Sequence, residues 1–231
     1  MVTTEELQAQ VEARFKLLGL PSWPHPHPDR GPLDEEYSRL TDPGRYAVVH
    51  ARARVWAEVL SEVLGARVDR LPPEESGGHG GGARGGFDRG VRVASPRPDT
   101  LPLLLLESDV RDVRERPGGE PLPVLAIAVG QPDVVVDRWP DCGCDACDDG
   151  SEPLLEDIDG TIAQVVGGPF VVLHAARWGA QWSPGRQRAH SEGSRGHDVD
   201  ALMRVCRGLA EGEPVTVPTG AQAFVGRSWL G

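Results

Sequence analysis

The stretch Leu122-Pro123-Val124-Leu125-Ala126-Ile127-Ala128-Val129-Gly130-Gln131-Pro132-Asp133-Val134-Val135-Val136 holds two apolar runs joined by a Gly-Gln-Pro-Asp turn. Apolar runs rich in branched residues, bounded by Gly and Pro, read as strands, and so short a link folds the second back beside the first. Working towards the N-terminus, Leu101 to Glu107, Phe87 to Ala94 and Ala66 to Leu71 have the same character and extend a mostly antiparallel sheet. Working towards the C-terminus, the period changes: Leu154, Leu155, Ile158, Ile162 and Val165 recur at helical spacing over Ser151 to Val166, with Pro153 in the first turn. A buried strand over Pro169 to Ala175 follows.

The outer parts of the chain supply the remaining helices. Thr3 and Glu6 form a Thr-x-x-Glu capping box, and Leu7, Val11, Phe15 and Leu18 keep helical spacing until Gly19. Residues 20–32 hold five prolines, including Trp23-Pro24-His25-Pro26-His27-Pro28, which excludes both helix and central strand and predicts an extended connector. Leu33 to Leu40 reads as a short helical turn. Asp42-Pro43 opens a helix whose face is marked by Val48, Val55, Trp56, Val59, Leu60 and Val63 up to Gly65. Asp198 to Leu209 is a last helix, and Val215 to Val217 and Ala223 to Val225 read as terminal strands. The fold class is therefore α+β, loop-rich, with three to four helices on one face of a mostly antiparallel sheet. With 29 Gly and 21 Pro in 231 residues, the expectation is one domain over 1–231, interrupted by the connector at 20–32 and a Gly-rich loop at 76–86.

A formal net charge of −11 opposes binding to nucleic acid and to anionic membranes, because both depend on displacing counterions with cations. The first six residues are polar and acidic, and no apolar run reaches the ~18–20 residues of a membrane helix. The expected location is the cytoplasm, where thiols are kept reduced.

That makes Pro140-Asp141-Cys142-Gly143-Cys144-Asp145-Ala146-Cys147-Asp148-Asp149-Gly150 the most informative segment, with three of the four cysteines within six residues. Zinc takes about four soft or borderline ligands in a tetrahedron, and a C-x-C-x-x-C turn with small spacers wraps three thiolates round one ion. Candidates for the fourth ligand are Cys206, His50, His174 or an aspartate. Cys206 is the weakest of the four cysteines, since beside Leu202 and Val205 it reads equally as a core residue. Reduced thiols without metal, or an opportunistic disulfide, are the competing reading. Redox catalysis fits poorly, because Asp141, Asp145, Asp148 and Asp149 oppose thiolate formation. One register, from Asp145 through Asp149 and Gly150 to Glu156, approaches a calcium loop but puts soft Cys147 where oxygen is needed.

The P-x-C-x-C-x-x-C-x-x-G run, with Gly167-Gly168-Pro169-Phe170 and Trp178-Gly179-Ala180-Gln181-Trp182, resembles an uncharacterised protein family of high-GC Gram-positive bacteria, most strongly from about Leu122 to Trp182. The resemblance implies one compact domain and brings no activity with it.

Weaker signals remain. Gly80, Gly82 and Gly85 spell a formal G-x-G-x-x-G, but the flanking pattern is a hairpin loop and not strand-to-helix. His25 and His27 alternate with prolines and could face one way to share a metal, although a solvated loop is the ordinary reading. Trp178 and Trp182 suggest an exposed aromatic binding platform, against the alternative of closing a core edge. Arg186, Arg188, His190 and Arg195 read as a basic solvated loop. Three functional expectations follow. The favoured one is a non-catalytic cytoplasmic binding protein, its partner an unidentified protein, with structural zinc on Cys142, Cys144 and Cys147. The second is a zinc hydrolase with Asp145 or Glu156 as base. The third is an acidic, immunity-type protein that neutralises a basic partner.

Overall fold

The computed structural model describes residues 2–74, 86–111, 119–191 and 198–231. Thr3 closes the capping box with Glu6 and starts α1 (Thr4–Lys16). α2 (Ala47–Leu64) ends where Gly65 takes a left-handed conformation. Between them, the proline-rich strap leads into two 3₁₀ turns, Asp34–Ser38 and Pro43–Tyr46. Five strands then form an antiparallel meander: β1 (Arg67–Leu71), β2 (Arg89–Ala94), β3 (Leu103–Val110), β4 (Leu122–Val129) and β5 (Val135–Trp139). The hairpin read from the sequence is present, with Leu125 opposite Trp139 and Ile127 opposite Asp137, and a register shift at Ile127/Ala128.

α3 (Ser151–Gly167) follows the cysteine segment and leads to a second antiparallel sheet. Its strands are β6 (Phe170–Ala175), β7 (Trp178–Ser183), β8 (Arg186–Ser191) and, after α4 (Val199–Glu211), β9 (Gln222–Gly226), in the order β8-β7-β6-β9. The expected single sheet is thus two sheets. Val215 to Val217 forms no strand, and Arg186, Arg188 and His190 lie on β8 and not in a loop. Arg195 and the Gly-rich tract up to Gly85 lie outside the described residues.

Strand alternation explains how one apolar run serves two layers. Leu103, Leu105, Leu125, Ile127 and Val129 face a core built with Leu7 and Val11 of α1, Val49, Trp56 and Leu60 of α2, and Ile158 and Ile162 of α3. Leu104, Leu106 and Ala128 point the other way, onto Phe87. β6 divides similarly: Phe170 and Val172 join the main core, while Val171 and Leu173 pack under α4 against Leu202, Met203 and Cys206.

The helices are also joined by buried charge. Arg52 on α2 pairs with Asp159 on α3 and with Glu12 on α1, and Trp56 Nε1 donates to Asp159 at 2.7 Å. No helix is long and apolar enough to cross a membrane among the described residues.

Candidate metal centre

β5 delivers the chain to the cysteine segment, and a single 3₁₀ turn, Asp145–Cys147, folds it back before α3. The turn brings the Sγ atoms of Cys142, Cys144 and Cys147 within 4.8 Å of one another. Cys142 Sγ lies 3.2 Å from Cys144 Sγ, and the Cys147 N–H donates to the Cys144 carbonyl at 3.0 Å. Cys144 is buried, whereas Cys142 and Cys147 are exposed.

The three thiols share their protons unequally. Burial raises the Cys144 thiol, but hydrogen bonds from Cys142 and Cys147 outweigh it and hold the pKa below the ordinary value. Cys147 is pushed up to about 12, chiefly by its hydrogen bond to Cys144 and by burial. Burial raises Cys142 as well. Cys144 is thus the most acidic of the three thiols, and a cation bound by such a set would displace its protons.

The segment's acids have structural work. The Asp145 carboxylate accepts from Arg39 Nε at 2.6 Å, the Thr41 N–H at 2.9 Å and Thr41 Oγ1 at 2.5 Å, while the Asp145 N–H donates to the Arg39 carbonyl at 2.7 Å. Burial pushes the Asp145 pKa up, but these bonds from Thr41 and Arg39 prevail and set it below the usual carboxylate value. Asp148 accepts from Trp23 Nε1 at 3.0 and 3.1 Å, from Arg45 at 2.6 Å and from the Gly150 N–H at 2.9 Å. With Asp145 so engaged, the calcium-loop register has no first ligand to offer.

The proline-rich segment is therefore more than a connector. Trp23 exchanges backbone bonds with Ser151, giving its carbonyl to the Ser151 N–H at 3.0 Å and its N–H to Ser151 Oγ at 3.1 Å, which satisfies a donor in the first turn of α3. Gly150 has φ +92°, and a Cβ there would lie 2.7 Å from the His25 nitrogen and 2.9 Å from the Pro24 carbonyl carbon, so only glycine lets the strap lie this close. His27 is buried with Nε2 3.2 Å from the Asp145 carbonyl oxygen. Its ring meets exposed His25 edge-on, with centroids 6.0 Å apart.

The other candidates lie elsewhere. Cys206 is wholly buried under the second sheet, among Leu202, Met203, Val171 and Leu173, and is not part of the three-sulfur group. Burial pushes its thiol up to about 11. His50 Nε2 bonds the Val124 carbonyl oxygen at 2.9 Å, and His174 lies 3.7 Å from Asp133. Trp178 and Trp182, four residues apart on β7, share one face and close a core edge in place of forming an exposed platform: Trp178 is buried in the core beneath α4, and half-buried Trp182 packs against it. Arg186 and Arg188 flank buried Asp137 on β5, with Arg188 at 3.1 Å, so the expected solvated basic loop is a charge pair between the sheets.

Trp23, Arg39, Thr41 and Arg45, which brace the turn, carry no motif. The Trp-Pro-His-Pro-His composition marked Trp23 alone, and Arg39, Thr41 and Arg45 had no signal in the sequence. Away from the cysteine turn, a cleft of about 640 Å³ lies between α2 and strands β1–β3. On its wall the buried Glu107 accepts from Arg54 Nε at 2.8 Å and Arg89 Nε at 3.0 Å.

Fold and site together define an α+β protein with a three-cysteine turn that could hold a metal ion. The chain belongs to a family of unknown function (DUF6226), whose model matches residues 11–230. No curated protein and no solved structure matches it.

Proposed function

We propose that Cys142, Cys144 and Cys147 hold one zinc ion that fixes the cysteine turn beneath the proline-rich strap, and that the protein is a non-catalytic binding protein of the cytoplasm. The observation that carries this reading is the approach of the three Sγ atoms to within 4.8 Å of one another. Zinc suits an all-thiolate set because it is borderline-soft and has no geometric preference to offend. The hydrolase reading has less support. Asp145, one of the two candidate bases, is held by Arg39 and Thr41 with its pKa lowered, which makes it a poor proton acceptor.

The expected partner is a protein, and the net charge of −11 favours a basic one. Metal content of the protein purified without chelator or histidine tag, compared with that of Cys142→Ser, tests the site. Loss of zinc and of thermal stability in the variant supports the proposal, and an unchanged protein without metal refutes it.

A further inference from the structure

We infer that Cys142 and Cys144 form a reversible disulfide that excludes the metal ion, so that the cysteine turn has a metal-bound state and an oxidised state. The inference rests on the metal reading above and deepens it by naming what competes with the ion. The Sγ atoms of Cys142 and Cys144 lie 3.2 Å apart. A disulfide bond is ~2.0 Å long, so closing the pair takes a movement of about 1 Å, within the reach of side-chain rotation. The segment holds the two residues in that relation. Gly143 between them is buried against β4, where a Cβ would meet Leu122 Cδ2 at 2.5 Å, and the Cys144 N–H is directed at Cys142 Sγ at 3.5 Å.

Exposure orders the steps. Cys142 is at the surface and Cys144 is buried, so a low-molecular-weight disulfide, the oxidant the reaction requires, reaches Cys142 first. The Cys142 sulfur gives its proton to solvent and attacks one sulfur of that disulfide; a mixed disulfide forms and one thiolate leaves. Cys144 then loses its proton and attacks Cys142 Sγ, the bond from Cys142 to the small molecule breaks, and a second thiolate leaves. The two thiolates take up the two protons, so the cysteine pair is oxidised by two electrons and one small disulfide is reduced to two thiols. Oxidation withdraws two of the three sulfurs in the form a metal ion binds, which is the thiolate. Cys147 alone does not hold the ion, and the two states exclude each other.

Reduced protein, metal-free or loaded with zinc, is treated with glutathione disulfide. Free thiols are alkylated, and the oxidised ones are then reduced and alkylated with a second reagent, so that tandem mass spectrometry assigns each cysteine. The second label is expected on Cys142 and Cys144 together, with the first on Cys147 and Cys206. Zinc-loaded protein is expected to oxidise more slowly and to lose zinc in proportion to the disulfide formed, and the oxidised chain should regain zinc binding only after dithiothreitol. Cys147→Ser should form the disulfide to the native extent. A lasting glutathione adduct, a pair that includes Cys147 or Cys206, or an oxidised chain that binds zinc as the reduced one does overturns the inference, as does the absence of oxidation. Reduced protein that takes up no zinc refutes the metal reading and the exclusion with it, and the labels then still show whether Cys142 and Cys144 pair.

Discussion

Trp23 Nε1 donates to both carboxylate oxygens of Asp148, at 3.0 and 3.1 Å, and so ties the proline-rich strap to the residue that follows the last cysteine of the turn. Arg45 approaches the same carboxylate at 2.6 Å, and its guanidinium lies over the Trp23 ring, 5.0 Å from the centroid. Replacing Asp148 by Ala leaves the indole N–H and a guanidinium without their acceptor, which costs about 1–3 kcal/mol. Thermal unfolding of Asp148→Ala beside Trp23→Phe checks this. Both variants are expected to be less stable, the first more so, and an unchanged melting temperature in Asp148→Ala contradicts the bracing role.

Gly150→Ala tests the closeness of strap and turn. A side chain there meets backbone at 2.7 Å and carries the unfavourable φ of +92°, so destabilisation of about 1–3 kcal/mol is expected. Gly212, with φ +77° but open space around its Cβ position, serves as the control and should lose less on the same substitution.

Much of this was legible in the sequence. The 122–136 hairpin, the capping box at Thr3 and Glu6, and the helical period of α2 and α3 are local patterns, and the chain follows them. β7 and β8 were not read as a hairpin. β8 (Arg-Gln-Arg-Ala-His-Ser) is a polar edge strand with no buried residue, which leaves the hydrophobic pattern nothing to mark, although Pro184-Gly185 between the two strands was an available turn signal. The cysteine turn was visible from spacing. Its bracing by Trp23, Arg39, Thr41 and Arg45 spans more than 100 positions of sequence separation, which no local pattern encodes.

Cys206→Ser separates the core cysteine from the metal centre. The hydroxyl would be buried among Leu202, Met203 and Leu173 in place of a thiol, at a cost of about 1–3 kcal/mol. Metal content is expected to remain that of the native chain, and its loss would make Cys206 a ligand.

Glu107 gives a pH dependence of known sign. Burial raises its pKa, but hydrogen bonds from Arg54 and Arg89 prevail and set it below 4.5, so the folded state binds the proton less tightly than the unfolded chain. The stability it contributes is present above the unfolded value and is lost as pH falls through the lowered one. Melting curves of the native chain and Glu107→Gln should differ at pH 7, with the native chain more stable by about 1–3 kcal/mol. The curves should converge in acid, and a gap that persists or widens at low pH contradicts the assignment.

The central claim is tested most directly by counting bound metal together with free thiols, native and denatured, on protein purified without chelator. The account predicts about one zinc per chain, with Cys142, Cys144 and Cys147 protected from thiol reagents until the metal is removed. Metal-free protein in which exposed Cys142 and Cys147 react at once, and which gains no protection on adding zinc, would contradict it.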